Sequence, residues 1–220
     1  MPAQPCLLCG APSHAGLCCV ACDADLPRLT GAHCPICALP TPTDSVCGEC
    51  LKQPPPFDHT VAAFSYRFPV DKLIQALKFR EHLMLADYLG EALARRVTTH
   101  PDCIVGLPLH PARLRERGFN QSLLLARHIS RRLGIPLLAD ACERVRNTPP
   151  QSGLPWKERG KNMRQTFACK QDTAVRGKHV AIVDDVMTTG ASIGELARAL
   201  KQAGASEVSA WVVARTLPRD

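Results

Sequence analysis

Residues 180–192 read Val-Ala-Ile-Val-Asp-Asp-Val-Met-Thr-Thr-Gly-Ala-Ser, and they restrict the fold more than any other stretch of the chain. Val180, Ala181, Ile182 and Val183 form an apolar run without polar alternation. That is the pattern of a strand buried on both faces of a parallel sheet. Asp184 and Asp185 break the run and are expected at the strand's carboxyl end, where open α/β sheets bind ligands. A small, hydroxyl-rich turn follows, with Gly190 free to adopt backbone angles closed to other residues. Ser192 and Glu195 have capping-box spacing, and Ile193, Leu196, Ala197, Leu200 and Ala203 repeat at helical intervals before Gly204 offers a stop. Strand, acidic pair, hydroxyl-glycine turn and helix together suit a phosphorylated sugar. The helix start attracts the phosphate, while the carboxylates suit ribose hydroxyls with a divalent cation nearby.

The amino terminus is of a different kind. Nine of the twelve cysteines precede residue 51, as Cys6-x-x-Cys9, Cys19-x-x-Cys22, Cys34-x-x-Cys37 and Cys47-x-x-Cys50, with Cys18 in addition. Each pair presents two thiolates to one tetrahedral zinc, so eight cysteines make two structural sites of four thiolates each. Consecutive pairing closes the shortest loops and is the expected arrangement, with interleaved pairing as the alternative. A module this small builds little core, so metal supplies most of its folding energy. Lys52-Gln53-Pro54-Pro55-Pro56 reads as a stiff spacer, dividing a zinc module (residues 1–52) from an α/β domain (residues 57–220).

Within the second region, residues 61–66 are rich in β-formers. Leu73, Ile74, Leu77 and Phe79 mark one face of a short helix with Lys72 and Lys78 on its exposed side, and residues 83–96 form a second amphipathic helix. A second apolar strand, residues 103–108, leads into a loop carrying Arg113, Arg115 and Arg117, placed to cradle a diphosphate. Leu123, Ala126, Ile129 and Leu133 mark the helix that follows. Residues 144–164 read as a mobile basic loop able to close over a leaving group, with Trp156 inside it. The net charge of +7 is concentrated here: residues 110–170 hold thirteen Lys/Arg and four Asp/Glu, the remainder fourteen and sixteen. An anionic partner, a diphosphate or nucleic acid, follows from that excess. No apolar run approaches membrane-spanning length and no signal-peptide pattern opens the chain, so a cytoplasmic location is expected.

The acidic-pair segment resembles the phosphoribosyl-pyrophosphate (PRPP) signature of type I phosphoribosyltransferases, with Ser192 where that family more often has threonine. The resemblance implies Asp184 and Asp185 on the ribose hydroxyls, and Val186, Met187, Thr188, Thr189, Gly190, Ala191 and Ser192 along the 5′-phosphate side. It also implies magnesium bound with PRPP, and Arg113, Arg115 and Arg117 against the pyrophosphate. Thr188 stands where relatives acting on 6-oxopurines have an acid, which argues against that substrate class. Taken over its length, from cysteine knuckles and triple proline through L-K-F, R-x-R-x-R-G-F-N-Q-S and D-D-V-M-T-T-G-A-S, the chain resembles the ComF (competence protein F, GntX-like) family. That resemblance implies a type I phosphoribosyltransferase-like parallel sheet flanked by helices, an amino-terminal double zinc ribbon, and a role in DNA uptake during natural competence. Single-stranded DNA and DNA-uptake proteins are the further partners it implies. Phosphoribosyl transfer to an undetermined acceptor is one outcome. A non-catalytic accessory protein that uses the PRPP site as a sensor is the other.

Overall fold

Two long, largely apolar strands form the centre of the sheet. The computed structural model describes residues 4–14, 16–79, 82–146, 166–169 and 174–218. Among these, β1 (Gln4–Pro5), β2 (Pro12–Ser13), α1 (Val20–Ala24) and α2 (Gly48–Lys52) belong to the cysteine-rich region. There follow β3 (His59–Ser65), α3 (Val70–Phe79), α4 (Met84–Ala94), β4 (Cys103–Gly106), α5 (Pro111–Arg117) and α6 (Gln121–Leu133). The remainder comprises β5 (Cys142–Arg144), β6 (Phe167–Cys169), β7 (His179–Met187), α7 (Ala191–Gln202) and β8 (Glu207–Arg215). The principal sheet has four strands, all parallel, in the order β3-β8-β7-β4. β7 and β8 are central and almost wholly buried, which accounts for the apolar runs from Val180 to Val183 and from Ala210 to Ala214.

Apolar side chains fill both faces of the sheet. On one, Ala181, Val183, Trp211 and Val213 pack with Leu73, Ile74 and Leu77 of α3, Leu85 and Leu89 of α4, and Leu125 and Ile129 of α6. On the other, Val180, Ile182, Ala210 and Val212 pack with Ile193, Leu196 and Leu200 of α7. The cysteine-rich region is docked along the free edge of β3: the Leu29 N–H donates to the Ala63 carbonyl at 2.9 Å, Ser65 N–H to Pro27 at 2.8 Å, and Thr60 N–H to Pro35 at 3.0 Å. That backbone pairing covers an edge that would otherwise offer unpaired amides to another chain. Phe57, just after the prolines, is buried beside Gly190 and Gly194. β5 and β6 pair antiparallel and are joined by a Cys142–Cys169 disulfide, which the cysteine spacing did not suggest.

Several local expectations are corrected. The acids do not end β7, which continues to Met187 because β8 is equally long and pairs Val186 with Ala214 and Met187 with Arg215. The helix after the turn begins earlier than the capping box suggests, with Gly190 at its N-cap position in the left-handed region (φ 77°). Phe79 is not a core residue but is 73% exposed. α6 turns Gln121, Ser122, Leu125, Ala126 and Ile129 inward, while Leu123 and Leu133 are only half-buried. The arginine-rich segment is a helix rather than a loop, started by Pro111 and stopped by Gly118 in the left-handed region (φ 81°).

Candidate ligand site and zinc clusters

The candidate site arises because β4 is shorter than its neighbour. β4 pairs with β7 only as far as Gly106↔Val183. Beyond it the chain swings away, leaving one side of Asp184 to be met by the start of α6. Asn120 caps that helix, its side-chain oxygen accepting from the N–H groups of Ser122 and Leu123, while its Nδ2 donates to the Leu107 carbonyl at 3.1 Å. Held in this way, the Ser122 hydroxyl donates to Asp184 Oδ1 at 2.7 Å. Strand alternation sends Asp185 out on the opposite side. There Lys78, the penultimate residue of α3, ion-pairs with Asp185 Oδ2 at 2.8 Å.

Both carboxylates are buried. Asp184 is pushed up to about 7, first by burial and then by the adjacent Asp185 charge, with Lys78 and Ser122 opposing the rise. Burial works against the Lys78 ammonium, but Asp185 and then Asp184 outweigh it and hold it charged above its ordinary range. Sequence reasoning put Lys78 on the exposed side of its helix and gave Ser122 no role. Only the register of α3 and α6 against the sheet brings either to the acids.

Lys78, Phe79, Arg113, Glu116 and Arg117 line an adjoining hollow of about 180 Å³. Helical spacing decides which arginines reach it: residues 113 and 117 share a face, whereas Arg115 lies about 200° round the helix from Arg113 and is exposed. Arg115 therefore does not line this hollow, although the loop reading gave all three arginines one role. The Arg117 guanidinium sits 5.5 Å from the Phe79 ring centroid and donates to Gln121 Oε1 at 2.7 Å. Arg144 on β5 is lowered by burial and by Arg113, while the Asp184 charge raises it, so it belongs to the same electrostatic environment. The expected basic loop with Trp156, Lys157, Arg159, Lys161 and Arg164 lies outside the described residues.

The turn after β7 is fastened from behind. Ala191 N–H donates to Thr189 Oγ1 at 3.2 Å, and a Cβ on Gly190 would stand 2.8 Å from Met187 Cε. Arg215, at the end of β8 and 3% exposed, donates through Nη1 to the carbonyls of Met187 (3.0 Å), Thr188 and Thr216 (2.8 Å). Its Nε donates to the Cys37 carbonyl at 2.7 Å. One buried guanidinium thus joins the turn to the second cysteine cluster, a connection the sequence did not signal.

The cysteines converge in two groups, Cys6/Cys9/Cys19/Cys22 and Cys34/Cys37/Cys47/Cys50, each with its sulfurs within 4.8 Å of one another. Cys18 belongs to neither. The donor set fits zinc. In each group an N–H points at a sulfur, from Cys19 to Cys6 Sγ at 3.3 Å and from Cys47 to Cys34 Sγ at 3.4 Å. Those bonds favour thiolates: backbone N–H groups of Cys19 and Cys9 bring Cys6 down to about 6. At Cys34 burial pushes upward, but N–H groups of Cys47, Cys37 and Ile36 prevail and bring it to about 7. Four thiolates on tetrahedral zinc leave no position open for substrate, so these are structural sites.

Comparison with known proteins agrees with both halves. Residues 1–51 match the double zinc ribbon domain and residues 120–218 the phosphoribosyl transferase domain. Among solved structures, the glutamine PRPP amidotransferase from B. subtilis is 23% identical with a TM-score of 0.42, over 58% of this chain and 25% of that one. Adenine phosphoribosyltransferase from Leishmania tarentolae is 16% identical with a TM-score of 0.39, over 60% and 58%. The two family matches and the four-stranded parallel sheet make the fold class a type I phosphoribosyltransferase-like parallel sheet flanked by helices and preceded by a zinc ribbon. No helix among the described residues is long and apolar enough to cross a membrane. The DNA utilization protein YhgH of Escherichia coli is 38% identical over 224 residues, covering 96% of this chain and 97% of that protein. Competence protein F of Haemophilus influenzae is 37% identical over 77% of this chain and 78% of its own length. Competence protein ComFC of Bacillus subtilis is 27% identical over 90% and 84%. With similarity of this extent to proteins of those names, and with both modules matched, the chain belongs to the ComF family.

Proposed function

We propose that this protein binds magnesium-PRPP at the carboxyl end of its sheet and acts in the handling of incoming DNA. The observation that carries the first part is the buried Asp184–Asp185 pair, held by Ser122 and Lys78 beside the Thr188–Thr189–Gly190 turn. Two buried acids with so little neutralisation are costly in a free protein, and a ligand that donates two hydroxyls relieves them. A ribose does so, and its 5′-phosphate then meets the first turn of α7. Magnesium enters as part of the substrate, chelated by the diphosphate. The second part rests on the relatives' names, DNA utilization protein and competence protein F.

Transfer, where it occurs, breaks the bond between sugar C1 and pyrophosphate as positive charge grows on the ring. Arg113 and Arg117 receive the departing negative charge, already oriented on one helix face, and an acceptor nitrogen attacks C1. Thr188 offers no carboxylate to a 6-oxopurine, so that acceptor class is disfavoured. The sensor reading draws on a separate observation. Phe79 is exposed beside Arg117, an arrangement suited to stacking a base of single-stranded DNA.

Calorimetric titration with PRPP, with and without magnesium, tests the binding. Heat that requires magnesium and vanishes in Asp184→Asn/Asp185→Asn supports it, and absence of heat refutes it. Pyrophosphate release across a panel of bases then separates transfer from sensing. Binding to single-stranded DNA is distinguished by its steep loss with rising salt.

A further inference from the structure

At the opposite end of the sheet from the acidic pair, three strands begin with residues that ligate metals. His59 opens β3, His179 opens β7 and Glu207 opens β8. The register places His179 against Glu207 and His59 against Ser209, so all four side chains project from the same face of three adjacent strands. We propose that His59, His179 and Glu207 form a third metal site, for a divalent transition ion of the zinc class.

Geometry carries the assignment. One ligand atom from each residue lies within 4.8 Å of the others. His59 Nδ1 is 3.3 Å from Glu207 Oε1, and His179 Nε2 is 3.8 Å from the same oxygen. Ligands about 2.0–2.1 Å from a tetrahedral zinc stand about 3.3 Å apart, so only a small contraction is needed to seat an ion. A simple ion pair accounts for this cluster less well, because one carboxylate oxygen is approached by two imidazoles whose protonated forms would repel one another. Among the described residues, His59 Nε2 is buried without a hydrogen-bond partner, so no contact fixes the ring in its present pairing.

The surroundings are those of a held ligand set. The His179 backbone N–H donates to Asp102 Oδ2 at 2.8 Å, which fixes the strand start, whereas the fully buried Ser209 hydroxyl, 3.0 Å from His179 Nε2, must release that nitrogen when an ion binds. Asp58, beside His59, is itself engaged by the Val208 N–H at 2.7 Å and by Lys201 at 2.8 Å, so it braces the strand starts. Two histidines and one glutamate leave a fourth position for water, and Glu207 is partly exposed, which gives the ion a way in. Asp184 lies five residues along β7 from His179, about 16 Å away at strand rise. The site is therefore separate from the proposed PRPP site, and an ion in it would tie three strand starts together.

The test is zinc stoichiometry of the full chain with both cysteine clusters loaded. Three zinc ions per chain are expected at micromolar free zinc, against two in His59→Ala/His179→Ala. Glu207→Gln is expected to weaken the third site about tenfold. Cobalt added to the zinc-loaded protein should give ligand-field bands without thiolate charge transfer, and the third equivalent should raise the Tm. The proposal is overturned by a wild-type stoichiometry of two at saturation, which decides the matter even if a variant misfolds. It is equally overturned by a third equivalent that persists in the double histidine variant, or by cobalt bands of thiolate character.

Discussion

Lys78→Met isolates the electrostatics of the acidic pair. The wild-type ammonium contacts a carboxylate whose side chain is 4% exposed, at 2.8 Å. Without it that carboxylate has two courses. Remaining charged and unpaired costs about 3–5 kcal/mol. Taking up a proton instead costs about 1.4 kcal/mol for each pH unit above an ordinary carboxyl pKa near 3.9, hence about 4 kcal/mol at pH 7 and about 1.5 kcal/mol at pH 5. Above about pH 7 the first course limits the loss, and below it the second does. The sign follows from the proton: a buried carboxyl without its cation favours the neutral form, so the variant's relative stability is regained as pH falls and lost as pH rises through the window from 5 to 7. Asp184, pushed up to about 7 by burial and by Asp185 and held down by Lys78, is coupled to the same pair, so the variant's pH dependence belongs to both carboxyls together. Urea unfolding in zinc-containing buffer at both pH values measures the difference. Equal destabilisation at pH 5 and pH 7, or failure of Asp185→Asn to rescue the variant at pH 7, would refute the reasoning.

Gly106→Ala should cost about 1–3 kcal/mol, because the new Cβ meets the Leu123 Cα at 2.9 Å and must push α6, with Ser122, away from Asp184. Thermal unfolding measures that cost, and PRPP titration should show a parallel loss of binding. Gly190→Ala should cost about 1–2 kcal/mol from its left-handed backbone, since the close Met187 methyl can move aside. Cys34→Ser and Cys6→Ser should each lose one zinc by elemental analysis, but only Cys34→Ser should weaken PRPP binding, through Arg215. Phe79→Ala should leave stability within about 0.5 kcal/mol, as expected of an exposed side chain. In a fluorescence titration it should weaken single-stranded DNA binding by about 1–3 kcal/mol.

What the sequence revealed depended on the range of the interactions concerned. The β7 strand, the turn and the α7 helix were legible because apolar run, glycine and helical period are local signals. The cysteine pairs were legible because ligands of one zinc recur at fixed short spacing. Lys78 and Ser122 were not, since each meets its aspartate across more than sixty residues of chain, and neither helix period nor composition encodes that register. The arginine segment failed for another reason. Arginines at every second position suggested a loop with one shared function, whereas a prolyl start and Gly118 stop make it a short helix, and helical period then separates Arg115 from Arg113 and Arg117.

Arg215 makes the two modules one mechanical unit. A buried guanidinium needs acceptors for its N–H groups. Here they come from both sides of a module junction: the Cys37 carbonyl within the second cysteine cluster, and the Met187 and Thr188 carbonyls that open the turn after β7. Neither side satisfies the guanidinium alone. If zinc is lost and the 34–50 segment unfolds, Arg215 Nε loses its acceptor, and relaxation of that side chain withdraws the donor that holds Met187 and Thr188. Thr60 adds a second tie, its hydroxyl donating to the Ile36 carbonyl at 2.6 Å. The first cluster has no such path among the described bonds; it reaches the remainder through Tyr88 and Asp23, far along the chain from the turn. The two zinc sites of one ribbon therefore differ in kind: one supports the module's own fold, and the other also sets the shape of the site where PRPP is proposed to bind.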